Sequence, residues 1–559
     1  MSGNGSGVLR TPLTRRSAVR AGLVGTGAAF GGAMGSAAPF RFRALAMQDV
    51  PGGRLVIGKP YELLDFDPQL SANQTSWEIH AVVYESLVFL DDNLSPVPGL
   101  AQSWDTPDDR TYVFQIRQGV KFHNGREMTS EDVVFSLERV LTHPESWWNV
   151  KMGPTLPEDP SAATAEALGT PTPGPQIGVT FEATGPYEVT AALVQPYAPF
   201  LQALTGTTCS IVPAQEVESG EIDLSREMVG TGPFQVMEHA EDQRWVFAKF
   251  AEYWQEELPR VDELVWQVMT DEAARVAALR TGEIHIAMFE NPAMLNLLEN
   301  DENVTTVEQV TTNYYILFVN ANHPELSDAR VRQAISLGID REQIKDTALF
   351  GRASVTGPIA AGFTQLASPL EEIPFYTRDV ERAKELLAEA GYADGLQLSL
   401  LITPDLAATV PMAELIQAQL REIGIEIEIV QRDIATFINE YAVEGTAQLT
   451  ISWWAGYSDP YLILLELASD VFGPLLGLTD PELDALIEQA AREVDPAARL
   501  DVLKELETAV ATTANFQPLV TRDNFVAYRA DLVGGAEFAA ADGFGLPLWH
   551  RLQEMTVLQ

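Results

Sequence analysis

The residues of this 559-residue chain that could do chemistry are seven histidines, one cysteine and a large excess of acids. His80, His123, His143, His239, His285, His323 and His550 are scattered, and no two stand at the spacing a metal ion needs. The chain contains no Gly-x-Ser-x-Gly, no His-Glu-x-x-His and no phosphate-cradling loop. Gly25-Thr26-Gly27 follows no strand, so it does not read as a dinucleotide site. Acid pairs such as Asp91-Asp92, Asp108-Asp109 and Glu256-Glu257 are what this composition produces by itself. Glycoside hydrolysis would need two convergent carboxylates, and no feature selects such a pair. Cys209 stands alone, so the chain can form no internal disulfide, and it reads as a small buried apolar residue. The expected function is binding rather than catalysis, with no metal and no cofactor.

One stretch does carry binding chemistry. Trp453-Trp454-Ala455-Gly456-Tyr457-Ser458-Asp459-Pro460 sets three aromatic rings within five residues. Aromatic faces suit apolar side chains and sugars alike. On a strand the two tryptophans point to opposite sides, so one is expected in a core and the other in a cleft. Asp459-Pro460 reads as a structural turn.

The elements that would position these residues follow from the hydrophobic pattern. Arg54 to Gly58 reads as the first strand, and Thr75 to Phe89 carries apolar residues at helical spacing. Tyr112, Phe114 and Ile116 alternate with polar neighbours, as in a half-buried strand. Asn124-Gly125 is a turn dipeptide, and Thr129 or Ser130 can cap the helix that follows. Residues 153–176, rich in Pro, Gly, Ala and Thr, read as a surface insertion. Beyond Thr311 a βαβ rhythm sets in, with helices stopped at Gly391 and Gly424. That rhythm belongs to a separate α/β domain.

The bulk numbers narrow the partners. Residues 1–46 hold six of the 36 basic residues and no acid, so without them 30 bases face 79 acids, a net charge near −49. That balance excludes a general nucleic-acid binder and argues against docking on anionic lipid. It suits a soluble, self-repelling monomer. After residue 50 no apolar run is long enough to span a membrane. The basic head resembles a twin-arginine export signal at Arg15-Arg16, although Ala18 and Val19 stand where that motif favours Phe and Leu. Ala44-Leu45-Ala46 fits a small-x-small cleavage site. An exported protein, in the periplasm or on the outer face of the cytoplasmic membrane, is expected.

Four ordered blocks carry a wider resemblance. They are Pro98 to Val140, "VGTGPFQV" through "LRTGEIHIA", "FVNANHPELSDARVRQAISLGIDREQI", and "AKELLAEAGY" through "LREIGIEIEI". Together they resemble the family 5 extracytoplasmic solute-binding proteins, the peptide, dipeptide and nickel-type receptors of ABC importers. The resemblance implies an α/β, two-lobed periplasmic-binding-protein fold with an extra domain in the first lobe and a cleft between lobes. The first lobe would take residues 50–92, 231–310 and 525–559, the extra domain 93–230, and the second lobe 311–524. The partners implied are a small-molecule or peptide ligand and the transmembrane permease subunits of an ABC transporter.

The resemblance also implies where a ligand would sit. Peptide-binding relatives hold the ligand's amino terminus on an aspartate within a Trp-x-x-Asp-x-x-Asp-Pro stretch, and here Gly456 occupies that position. Dipeptide receptors hold the ligand carboxylate on an arginine, and an ungapped alignment places Thr403 there. With both charge clamps missing, two ligand classes stay open: a longer peptide held by backbone contacts and pockets, or an oligosaccharide or other non-peptide solute. Trp453 matches a family ligand contact, and Trp454, Tyr457 and Tyr61 are further candidates, with the loop from Asp65 to Asn73 beside Tyr61.

Overall fold

The strand Arg54–Lys59 lies fourth in a seven-stranded mixed sheet. The computed structural model describes residues 49–50, 52–62, 65–71, 74–153, 178–535 and 548–558. The basic head with its export motif and nearly all of the 153–176 insertion lie outside the described residues. In sheet order the seven strands are Val304–Gln309, Asn524–Arg529, Ile286–Phe289, Arg54–Lys59, Glu263–Val268, Arg244–Lys249 and Phe234–Ala240. Three distant parts of the chain therefore share one sheet. Arg54–Lys59 runs parallel to both of its neighbours.

A five-stranded sheet is built from the later chain, in the order Ile425–Gln431, Leu396–Ile402, Leu449–Trp454, Tyr314–Val319 and Phe516–Thr521. Leu396–Ile402 and Ile425–Gln431 are parallel and joined through the helix Thr409–Glu422, which is the expected βαβ unit. Gly424, at φ +89°, lets the chain turn from that helix into the strand. The strand periods match the burial. Ile425 and Ile427 are buried between exposed Glu426 and Glu428 on an edge, whereas every residue of the inner strand Tyr314–Val319 is buried. A third, antiparallel sheet of four strands spans Ala101–Asp108, Thr111–Ile116, Glu188–Leu193 and Val179–Gly185.

One apolar core runs from this four-stranded sheet, through Phe114 and Val189, to the Tyr314, Ile316 and Phe318 face of the five-stranded sheet. The opposite face, with Tyr315, Leu317 and Val319, packs on helices in a second core. The helix capped by Thr129 is Ser130–Thr142, where the Thr129 N–H donates to Asp132 Oδ2 at 2.9 Å. The helix expected over 75–89 is shorter, Gln74–Val83, and Val88–Leu90 instead pairs with Pro96–Pro98. The helical pattern breaks at Glu85, whose buried carboxylate accepts from Tyr253 Oη, Trp254 Nε1 and Thr231 Oγ1 at 2.8 to 3.1 Å.

The chain passes between the seven- and five-stranded sheets twice, at residues 310–313 and 522–523. The two crossings run side by side. The Arg522 N–H donates to the Asn313 carbonyl at 2.9 Å, and the Thr311 hydroxyl donates to the Arg522 carbonyl at 2.8 Å.

Candidate functional site

A cavity of about 740 Å³ opens beside these crossings, with walls from all three sheet systems. Lys59, Tyr61 and Glu290 extend from strand ends of the seven-stranded sheet. Trp147 and Lys151 follow the helix Ser130–Thr142, and Trp453 and Trp454 end a strand of the five-stranded sheet. Arg522 and Asp523 belong to the crossing itself. The volume suits a small or drug-sized ligand.

The two tryptophans both reach this wall. Trp453 packs on the helix-covered core, and the Arg522 guanidinium lies 5.2 Å from its ring centroid. Trp454 packs on the other core, with ring centroids 5.1 Å from Phe318 and 5.2 Å from Phe472. Its buried Nε1 finds no hydrogen-bond partner among the described residues. The alternation that separates the two rings stops mattering at Trp454, because the strand ends there.

Every cation on the wall faces a carboxylate. Arg522 pairs with Glu290 at 2.8 Å. Burial alone would lower Arg522, but Glu290 with Tyr315 and Tyr61 outweighs it and raises its pKa. Burial, reinforced by Glu290, raises the Tyr61 hydroxyl above its usual range. Lys59, 2% exposed, pairs with Glu78, and its Nζ lies 4.0 Å from the Trp266 ring centroid. Burial lowers Lys59 and raises Glu78, and their mutual attraction opposes both shifts. Lys151 pairs with Glu466, and its Nζ sits 4.1 Å over the Tyr457 ring. Tyr457 donates its hydroxyl to Glu466 Oε1 at 3.1 Å.

Gly456 is fixed by close approach. Its N–H donates to Asn313 Oδ1 at 2.6 Å. A Cβ there would meet Thr312 Oγ1 at 2.0 Å and the Thr312 carbonyl carbon at 2.3 Å. The position touches the first crossing and holds no vacant slot for a longer side chain. Gly456 lines a second cavity of about 450 Å³ and not the larger one, whereas Tyr457 lines both; Trp77, Trp148 and Thr311 to Asn313 complete that part of the second wall. Asp459 is turned away from both cavities and held by two bonds from Arg499, at 2.8 and 2.9 Å.

Thr403 is fully buried and lines neither cavity. Its hydroxyl donates at 3.1 Å to Asp405 Oδ2, and Asp405 and Leu406 are the residues of this loop that line the wall. The described part of the loop after Tyr61 also stays off the wall, because Asp67 pairs with Arg139 at 2.6 Å and Gln69 is buried. Sequence reasoning did not name Lys59, Glu78, Glu290, Asp405, Glu466, Arg522 or Asp523. A signal was present for one pair: Arg522-Asp523 interrupts an otherwise strand-like, weakly charged run from Phe516 to Tyr528.

Among the described residues no cluster of His, Cys, Asp and Glu could hold a metal ion, and no helix is long and apolar enough to cross a membrane.

Residues 95–471 match the family described as bacterial extracellular solute-binding proteins, family 5 Middle. The chain is 29% identical over 416 residues to the dipeptide-binding protein of Escherichia coli K12, covering 70% of this chain and 74% of that protein. It is 29% identical over 479 residues to heme-binding protein A of Haemophilus influenzae, covering 82% and 85%. The ABC transporter-associated periplasmic binding protein DppA of Helicobacter pylori, solved with the peptide STSA, superposes with a TM-score of 0.75. The overlap covers 91% of this chain and 99% of that one at 23% identity.

Proposed function

This chain belongs to family 5 of the bacterial extracellular solute-binding proteins, and we propose that it captures peptides in the larger cavity and delivers them to an ABC permease. The observation that carries this reading is the cavity itself: aromatic walls on two sheets, with Arg522 and Asp523 of the second crossing in its lining. Two matched relatives, the dipeptide-binding protein and the peptide-bound DppA, bear peptide names. The alternative, an oligosaccharide or other non-peptide small solute, is not favoured: no relative named above bears a sugar name, and against the one heme-binding relative stand two with peptide names.

The ligand-facing residues on this reading are Trp453, Trp454, Tyr457 and Tyr61. Gly456 keeps the crossing close, and Thr403 supports the loop that presents Asp405. The three sheets mark three domains, with residues 93–230 as the extra domain of the first lobe and 311–524 as the second lobe. The crossings act as the hinge of lobe closure. The protein works as an exported monomer, in the periplasm or at the outer face of the membrane, and it performs no catalysis.

A free dipeptide is a poor fit, because each wall cation already serves a carboxylate. A longer peptide held by backbone contacts suits the wall better. The test is a titration of intrinsic tryptophan fluorescence with tri- to pentapeptides and with dipeptides. Saturable quenching or a spectral shift with the longer peptides supports the reading. A saturable change with oligosaccharides and none with peptides overturns it.

A further inference from the structure

We propose that the larger cavity selects ligands bearing a positively charged amine or guanidinium group, which Asp405 and Asp523 receive. The inference deepens the reading of that cavity as the ligand site and rests on it.

Lys59, Lys151 and Arg522 are the cations of the wall, and five carboxylates line it: Glu78, Glu290, Glu466, Asp405 and Asp523. No histidine contributes. The first three carboxylates are each ion-paired with one of the cations. Asp405 and Asp523 have no cation partner among the described residues, so the wall carries two uncompensated acids.

Asp405 is exposed and pre-aimed. Its Oδ2 accepts from the Thr403 hydroxyl at 3.1 Å and from the Ile434 N–H at 2.9 Å, which fixes the carboxylate without neutralising it. Asp523 supplies the independent sign of a missing partner. It is 6% exposed, its Oδ1 accepts from the Thr311 N–H at 3.2 Å, and its buried Oδ2, with the Thr521 hydroxyl as its side-chain neighbour, has no donor within hydrogen-bond distance among the described residues. A buried acceptor without a donor costs free energy that a cationic donor would recover. Burial also pushes this carboxyl up to about 7, the response of an acid that lacks a positive neighbour.

The aromatic part of the wall is compatible with the same ligand, while the buried Trp454 Nε1 offers a donor for a ligand carbonyl. Trp453, Trp454, Phe437, Tyr441 and Phe472 offer aromatic faces, which attract cations as well as apolar groups. A ligand carboxylate would meet two unpaired acids and compete with Glu290 for Arg522. The class that fits is a cationic group beside an apolar or aromatic one, as in a basic peptide.

The test is isothermal titration of the protein with four probes: lysyl-phenylalanine amide, glutamyl-phenylalanine amide, spermidine and maltotriose. The lysyl amide is expected to bind at least about tenfold more tightly than the glutamyl peptide, the scale of one hydrogen bond to a charged group. Asp405→Asn and Asp523→Asn should each shrink that preference, while Glu371→Gln, an exposed acid off the wall, should leave it intact. Asparagine keeps an oxygen for Thr311, and Asp405 is exposed, so loss of fold does not mask the result. Spermidine binding without either peptide upholds cation selection and discards the peptide reading. Peptide binding that ignores charge, or a preference that survives both variants, keeps the peptide reading and overturns this inference. Maltotriose binding alone, or no binding by any probe, overturns it as well.

Discussion

Replacing Lys151 by methionine tests how a buried charge pair ties two of the sheet systems together. Lys151 is 1% exposed, ion-paired with Glu466, donates to the Leu462 carbonyl at 2.6 Å and covers the Tyr457 ring. It follows the helix Ser130–Thr142, whereas Glu466 belongs to the segment after the strand Leu449–Trp454, so the pair spans two sheet systems. Lys151→Met removes the cation, keeps most of the stem volume, and leaves Glu466 with only the Tyr457 hydroxyl named above. Removing one member of a buried pair costs about 3–5 kcal/mol, because the other charge stays stranded. Burial outweighs the pull of Glu466 and lowers the Lys151 pKa, and a buried pair as a whole contributes little compared with well-packed apolar residues. The double variant Lys151→Met/Glu466→Leu should therefore be more stable than the single one by about 2 kcal/mol or more. The Leu462 carbonyl loses its donor in both, so the comparison isolates the stranded carboxylate. Urea unfolding followed by tryptophan emission, with linear extrapolation, measures both differences. Equal stability of single and double variants, or a single variant within about 1 kcal/mol of the parent, would refute the reasoning.

Three further outcomes follow from the same geometry. Trp453→Ala removes a wall of the cavity and the ring beneath Arg522, and peptide affinity should fall by about 2 kcal/mol, roughly thirtyfold, in calorimetric titration. Gly456→Ala drives a Cβ into Thr312 and should cost about 1–3 kcal/mol in urea unfolding; Gly456→Asp should lose stability too and gain no amine clamp. Burial pushes Asp523 up to about 7, so the folded state keeps a proton that the unfolded chain releases near its ordinary value. That contribution is full below about pH 4 and lost as pH rises through about 7, so Asp523→Asn should flatten the fall of stability across this window. The slope removed is up to about 1.4 kcal/mol per pH unit, read from urea midpoints at about pH 5 and pH 7; an unchanged slope would contradict the assignment.

What the sequence made legible was local. Thr129 caps the helix that follows it, its N–H donating to Asp132 Oδ2 at 2.9 Å. Gly391 and Gly424 follow helix ends with positive φ, and Ile425 to Glu428 alternates as an edge strand should. The change of pattern near Thr311 coincides with the first crossing between sheets. What stayed hidden depends on partners far apart in the chain. Lys151 and Glu466 are 315 residues apart, Arg522 and Glu290 are 232 apart, and among 79 acids no single one stands out as a wall residue. Glu85 likewise ends a helix early by meeting Tyr253 and Trp254, which lie more than 160 residues away. The ungapped alignment marked Thr403, whereas the loop turns so that Asp405 takes the wall. A two-residue offset changes which side chain emerges and is invisible to spacing alone.

The central claim is that this family 5 receptor binds peptides between its sheets. The most direct measurement is the melting temperature against matched peptide and oligosaccharide panels, since a ligand bound only to the folded state stabilises it by about 2.7 kcal/mol at a hundredfold excess over its Kd. The account predicts a rise of a few degrees with peptides, greatest with basic ones, and none with oligosaccharides. A rise with oligosaccharides alone would contradict it.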